Sequence, residues 1–188
     1  MKKNLFITTL LAFATSLAAQ TPRMCLYEEF TGETCPPCAA TNPGLNTLLT
    51  NTNNINKVIA LKWQVDIPSA PSNTWSLYQT NKSEIRWRAY SYGYGINSAP
   101  SGRMDGQNVT TFGASSDHPA NLSDAIINTA QSYTSPFSVT MNRAWNTGCS
   151  AVIVTVNITA SANYTATGNL VFRTVMVERV VDFSVQPG

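Results

Sequence analysis

The hydrophobic pattern begins with an apolar run over residues 5–17, behind Lys2 and Lys3, and closes on Ser16-Leu17-Ala18-Ala19-Gln20. A positive start, a short apolar stretch and small residues at a cleavage zone predict an export signal over residues 1–20. The run is shorter than the ~20 apolar residues that span a bilayer, and Thr8, Thr9, Thr15 and Ser16 interrupt it, so a transmembrane anchor is the weaker reading. Cys25 follows Thr21-Pro22-Arg23-Met24 rather than the small residues themselves, which argues against lipidation.

Residues 24–30 read as a short strand. Residues 38–49 predict a helix, with Leu45, Leu48 and Leu49 on one face and Pro43 as an internal kink. After an Asn-rich turn, residues 58–65 carry apolar side chains at successive positions, the pattern of a strand covered on both faces, and Asp66-Ile67-Pro68 ends it. Strand, helix and strand at this spacing imply a right-handed crossover and a parallel pair. Residues 69–92 hold Trp75, Tyr78, Trp87, Tyr90 and Tyr92 among polar residues; they predict one or two short helices whose rings pack on the sheet rather than form a ligand surface. Asp105-Gly106 is a strong turn signal joining Arg103-Met104 to residues 109–112 as an antiparallel pair. Pro119, behind a cap at Asp117, opens a helix with Leu122, Ala125, Ile126 and Ala130 on one face, and His118 reads as structural.

Beyond Tyr133 the character changes. Ser135-Pro136 marks a boundary, and residues 137–141, 151–159 and 170–181 predict strands. Val152, Val154, Val156 and Ile158 alternate with Thr155, Asn157 and Thr159, a half-buried antiparallel pattern. So few strands do not close a sandwich, so an incomplete antiparallel β domain, truncated at residue 188, is expected over 134–188, after an α/β domain over 21–133.

Composition narrows the function. A net charge of +2 with no Lys/Arg stripe excludes a nucleic-acid partner. Low charge with abundant Asn, Thr and Ser fits export, and export changes how the four cysteines are read, because thiols outside the cytosol pair stably. Cys35-Pro36-Pro37-Cys38 is a local pair at the start of the first helix, while Cys25 and Cys149 stand alone. Two pairings stay open for the latter: with each other, tying the β tail to the first strand, or Cys149 with a cysteine downstream. A metal site would need Cys25, Cys149 or the one histidine, His118, brought in by folding, so neither metal nor cofactor is expected.

These residues together resemble a thioredoxin fold. Glu29-Phe30 sits six residues before the first cysteine, where thioredoxins place a buried acid and Phe. Pro37 matches the proline of their thiol motif, and Pro43 the helix-kinking proline five residues after the second cysteine. Lys62 resembles the lysine of their central strand, and Tyr94-Gly95-Ile96 followed by Pro100 the approach to a cis-proline that faces the thiols. The resemblance spans residues 24–133, with Thr34 in place of the usual tryptophan and a longer segment over 67–91. The Glu-Glu-Phe-Thr-Gly lead-in, the exported N-terminus, the long insertion and a β-rich tail containing Val177-Glu178 are similar to the twenty-eight-kilodalton outer membrane protein family, which joins a thioredoxin-like domain to β structure. That likeness implies a thioredoxin-like domain, a central mixed sheet flanked by helices. It also implies a periplasmic or outer-membrane-associated protein acting on protein thiols or disulfides.

On this resemblance Cys35 is the nucleophile, its sulfur exposed at the helix N-terminus, and Cys38 resolves the mixed disulfide. Pro36 and Pro37 carry no N–H, so only Cys38 and later amides can face the Cys35 sulfur, and the thiolate is less stabilised than in the strongest oxidases of this fold. Glu29 is either an acceptor for the Cys38 proton, its charge held by Lys62, or an ordinary strand-end carboxylate. A cis Pro100 would expose the Ala99 backbone to an extended substrate. The competing expectation is a non-enzymatic envelope protein in which the same pair is a permanent disulfide and the β tail does the binding.

Overall fold

The computed structural model describes residues 23–73, 76–91, 93–161 and 163–177. The export signal expected over residues 1–20, Trp75, Tyr92 and the end of the expected 170–181 strand lie outside the described residues. The chain divides into two units, Met24–Tyr133 with residues 173–177, and Thr134–Phe172.

The first unit is a four-stranded mixed sheet with helices. Strand β1 (Cys25–Thr31) is followed by helix α1 (Pro36–Thr50) and strand β2 (Val58–Gln64). β1 and β2 run parallel from Cys25↔Val58 to Thr31↔Gln64, as the strand–helix–strand spacing implied. Strand β3 (Ser101–Met104) pairs antiparallel with the other side of β1, and β4 (Gln107–Asn108) with β3, giving the order β2-β1-β3-β4.

Because β1 is internal, both of its faces are covered. Cys25 and Tyr27 pack with Leu45 and Leu49 of α1 and with Ile126, Ile127 and Ala130 of α4 (Asp124–Ser132). On the opposite face Phe30 packs with Val65, Tyr78, Ile85, Ala89 and Ile96, covered by short helices α2 (Leu77–Thr80) and α3 (Lys82–Arg86) and a π-helical turn at Trp87–Ser91. Of the insertion's rings, Tyr78 and Tyr90 pack on the sheet as expected. Asp66, just past β2, joins it there, accepting from Tyr78 (2.7 Å), Tyr90 (2.5 Å) and Arg86 (2.7 Å). Burial pushes the Asp66 carboxyl up, but these donors more than offset it and hold it below the usual range.

Four details depart from the sequence reading. β2 is an edge strand among the described residues: Val58 is buried, but Ile59 and Ala60 are exposed, since one side of the strand has no neighbour. Residues 109–112 form a 3-10 turn rather than a strand, because the Asp117 carboxylate accepts from the Val109 N–H (2.7 Å) and curls the chain, burying Val109 and Phe112. Pro119 opens only a 3-10 turn (Pro119–Asn121), capped by His118 Nδ1 rather than by Asp117. α4 starts later, where the Ser123 hydroxyl accepts from the Ile126 N–H.

The second unit is a two-stranded antiparallel sheet, β5 (Phe137–Trp145) and β6 (Val152–Ala160), in register from Phe137↔Ala160 to Trp145↔Val152. Its turn is organised by Asn146, whose side-chain oxygen accepts from the Ser150 and Ala151 amides. The half-buried pattern expected of β6 is not realised: Val152, Val154 and Ile158 are exposed and Val156 is partly covered, as follows when, among the described residues, no layer covers the strand pair. Residues 170–177 are described without strand structure and are exposed. Among the described residues no helix is long and apolar enough to cross a membrane.

Candidate functional site

Cys35 is the N-cap of α1, with extended backbone (φ −110°, ψ 97°), and is bonded to Cys38. Pro36 and Pro37 occupy the first helical positions, where a missing N–H costs nothing and the fixed φ suits the helix. The first amide able to reach the cap is therefore that of Cys38, which donates to Cys35 Sγ at 3.2 Å. The Ala99–Pro100 peptide is cis, and the Ala99 carbonyl oxygen lies 3.6 Å from Cys35 Sγ. The sulfur is less open than expected: in the disulfide state Cys35 is 3% exposed and Cys38 is fully buried. Pro36 and Pro37 are exposed beside them.

Beneath α1, alternation along β1 puts Tyr27, Glu29 and Thr31 on the helix side, and Asn42 of α1 donates to Thr31 Oγ1 at 3.2 Å. Glu29 is 1% exposed, and Lys62, its register partner on β2, places Nζ 2.8 Å from Oε2. Among the described residues, neither Glu29 oxygen has a hydrogen-bond donor apart from that ammonium, and the Tyr27 hydroxyl and Asn42 Oδ1 nearby on this face also lack partners. Burial raises the Glu29 pKa, with Lys62 pulling the other way without cancelling it. Burial, with Glu29 and then Asp117 adding repulsion, holds the Tyr27 phenol protonated. Tyr27 lies across Gly102, where an added Cβ would fall 2.5 Å from its hydroxyl oxygen, so this β3 position must be glycine for the ring to lie there.

The other face of β1 carries a feature the sequence reading missed. Glu28, also 1% exposed, accepts from Arg88 Nε (2.8 Å) and Nη2 (2.6 Å), from Trp63 Nε1 (3.0 Å) and from the Tyr94 hydroxyl. Arg88 also donates to the Tyr94 oxygen at 2.6 Å. The Glu28 bond raises the Arg88 pKa further, and burial together with Glu28 raises that of Tyr94, so both remain donors. Two adjacent acids in a strand buried on both faces were the available signal: side chains alternate, so each needed a cation on its own side.

The residues just before the thiols are gripped by the insertion. Gly32 leaves no room for a side chain, because a Cβ there would collide with the Ile67 carbonyl oxygen. Glu33 accepts from the Leu77 and Tyr78 amides at 3.1 and 3.2 Å, and Thr34 donates to the Ser69 carbonyl oxygen at 2.8 Å. A groove of about 400 Å³ opens beside Cys35, lined by Thr31, Gly32, Asn42, Gln64 and Leu77 among others.

The bridge weighed for Cys25 and Cys149 is not formed. Cys25 is buried in the core with its Sγ–H donating to the Lys57 carbonyl oxygen at 3.2 Å, while Cys149 is exposed at the β5–β6 turn with a left-handed backbone (φ 51°). Among the described residues no three His, Cys, Asp or Glu side chains converge as metal ligands. No protein-family model matches the chain, and neither a curated protein nor a solved structure matches it.

Proposed function

We propose that this is an exported thiol-disulfide oxidoreductase with a thioredoxin-like domain, related to the twenty-eight-kilodalton outer membrane proteins and acting on protein thiols or disulfides of the cell envelope. The observation that carries the reading is the placement of the Cys35–Cys38 disulfide. It lies at a helix N-terminus against the Ala99 carbonyl, and α1 covers a strand face bearing a buried, under-partnered Glu29. In the reducing direction the Cys35 thiolate attacks a substrate disulfide, forming a mixed disulfide and releasing one substrate thiolate. Cys38, its proton passed to Glu29, then attacks Cys35 Sγ, closing the Cys35–Cys38 bond and releasing the second substrate thiolate. Two electrons pass from the dithiol to the substrate, and the oxidising direction is the reverse.

The 3% exposure of Cys35 favours a second reading, a permanent disulfide in a binding protein of the envelope. Equilibration of the purified protein with glutathione separates the two. An exchanging pair settles at a measurable ratio above roughly −300 mV and loses all turnover of a peptide disulfide in Cys35→Ser. A structural bridge stays oxidised below that potential.

A further inference from the structure

Glu28 is the most fully satisfied charge described in the fold, and what it holds is the segment that reaches the thiols. Four donors converge on its carboxylate, and two of the three residues supplying them, Arg88 and Tyr94, bracket the turn from the π-helical Trp87–Ser91 into the Ala99–Pro100 segment. The Tyr94 ring meets Phe30 edge-on at 5.6 Å and lies under the Arg88 guanidinium at 4.6 Å. The Tyr94 amide donates to Arg88 O (3.2 Å) and that of Ile96 to Ala89 O (2.8 Å), and Ile96 is buried. At its far end the segment is fixed by Ser101 pairing with Phe30, and between the two anchors the Ala99 oxygen sits 3.6 Å from Cys35 Sγ. A π-helical turn widens the backbone by one residue, a device that re-aims side chains near functional sites.

We infer that Glu28, Arg88 and Tyr94 are positioning residues which hold the Ala99–Pro100 segment in register with Cys35, so that capture of an extended peptide substrate depends on them while the thiol couple does not. The inference rests on the proposed exchange activity. Within it, neighbouring acids divide the work: Glu28 sets where the substrate lies, and Glu29, on the opposite face, serves the buried thiol.

Tyr94→Phe in the full chain is the decisive variant, since it deletes one hydroxyl and keeps the ring. The substitution removes the hydroxyl's bonds to both Glu28 and Arg88, and the rest of the network keeps its donors on Glu28. We expect KM for a peptide disulfide to rise about tenfold, with kcat and the glutathione equilibrium within about twofold of wild type. Amide hydrogen exchange at residues 96–99 should speed up. Tyr90→Phe, the same deletion in the Asp66 cluster, should leave KM and those amides unchanged. An active wild type whose Tyr94→Phe variant keeps its KM and its 96–99 protection, or whose Tyr90→Phe variant shifts them equally, overturns the inference alone. A wild type that never equilibrates with glutathione overturns the exchange reading and, with it, the substrate role given to this network.

Discussion

Glu28 and Glu29 are chain neighbours with the same charge and the same 1% exposure, yet the two faces of β1 treat them in opposite ways. On the insertion side Glu28 is saturated by an arginine fork, an indole N–H and a phenol. On the α1 side Glu29 has a single lysine, itself 31% exposed, and stands near an orphaned tyrosine hydroxyl. A saturated buried charge specifies geometry, because every donor must be in place for it to be tolerated. An under-partnered one is held where its protonation state is easily changed, which suits a proton carrier.

The largest effect should come from breaking the saturated side. Arg88→Met leaves Glu28 buried with two neutral donors, and loss of one partner of a buried pair costs about 3–5 kcal/mol. Because Arg88 is 22% exposed, urea unfolding should give a loss near the lower end of that range. Gly102→Ala tests the other face sterically: a methyl 2.9 Å from the Tyr27 Cζ must displace a fully buried ring, and overpacking of this kind costs about 1–3 kcal/mol by the same measurement.

The smallest effect at low pH, and the most diagnostic, is that of Glu29→Gln. Its folded pKa is raised above the ordinary 4.5, so the native state binds the proton more tightly than the unfolded chain does. The contribution of Glu29 to stability is therefore fully present below about 4.5 and is lost as pH rises through the raised value. Glu29→Gln should match wild type at acid pH, exceed it at neutral pH, and flatten the curve in chemical denaturation from pH 4 to 8. A stability difference, wild type minus Glu29→Gln, that instead rises across that window would mean Glu29 is stabilised as the anion, and the contrast between the faces would disappear.

Much of this site was legible in the chain. The thioredoxin resemblance singled out Glu29, Lys62 and Pro100, and the β1–α1–β2 unit followed from hydrophobic runs around a proline-started helix. Glu28 was passed over because its partner, Arg88, lies 60 residues on, in a segment whose short helices carry weak periodicity. The 109–112 turn was misread for a related reason: Val-Thr-Thr-Phe has the composition of a strand, and the Asp117 carboxylate that curls it arrives only with the tertiary fold. β2 was read as covered on both faces because an apolar run does not reveal what packs against it; among the described residues it is an edge strand, and Ile59 is 49% exposed. In the tail the alternation found the strand pair but could not supply a layer for it to cover.

The paired prolines at the start of α1 bear on the reduced protein as well as on the disulfide. With φ fixed at two consecutive positions, the Cys35–Cys38 link has few conformers to explore after reduction, and it is kept close to the shape it has when closed. In the proposed exchange it acts as a short, stiff tether that raises the effective concentration of Cys38 at Cys35, favouring resolution of a mixed disulfide from within over attack by an external thiol.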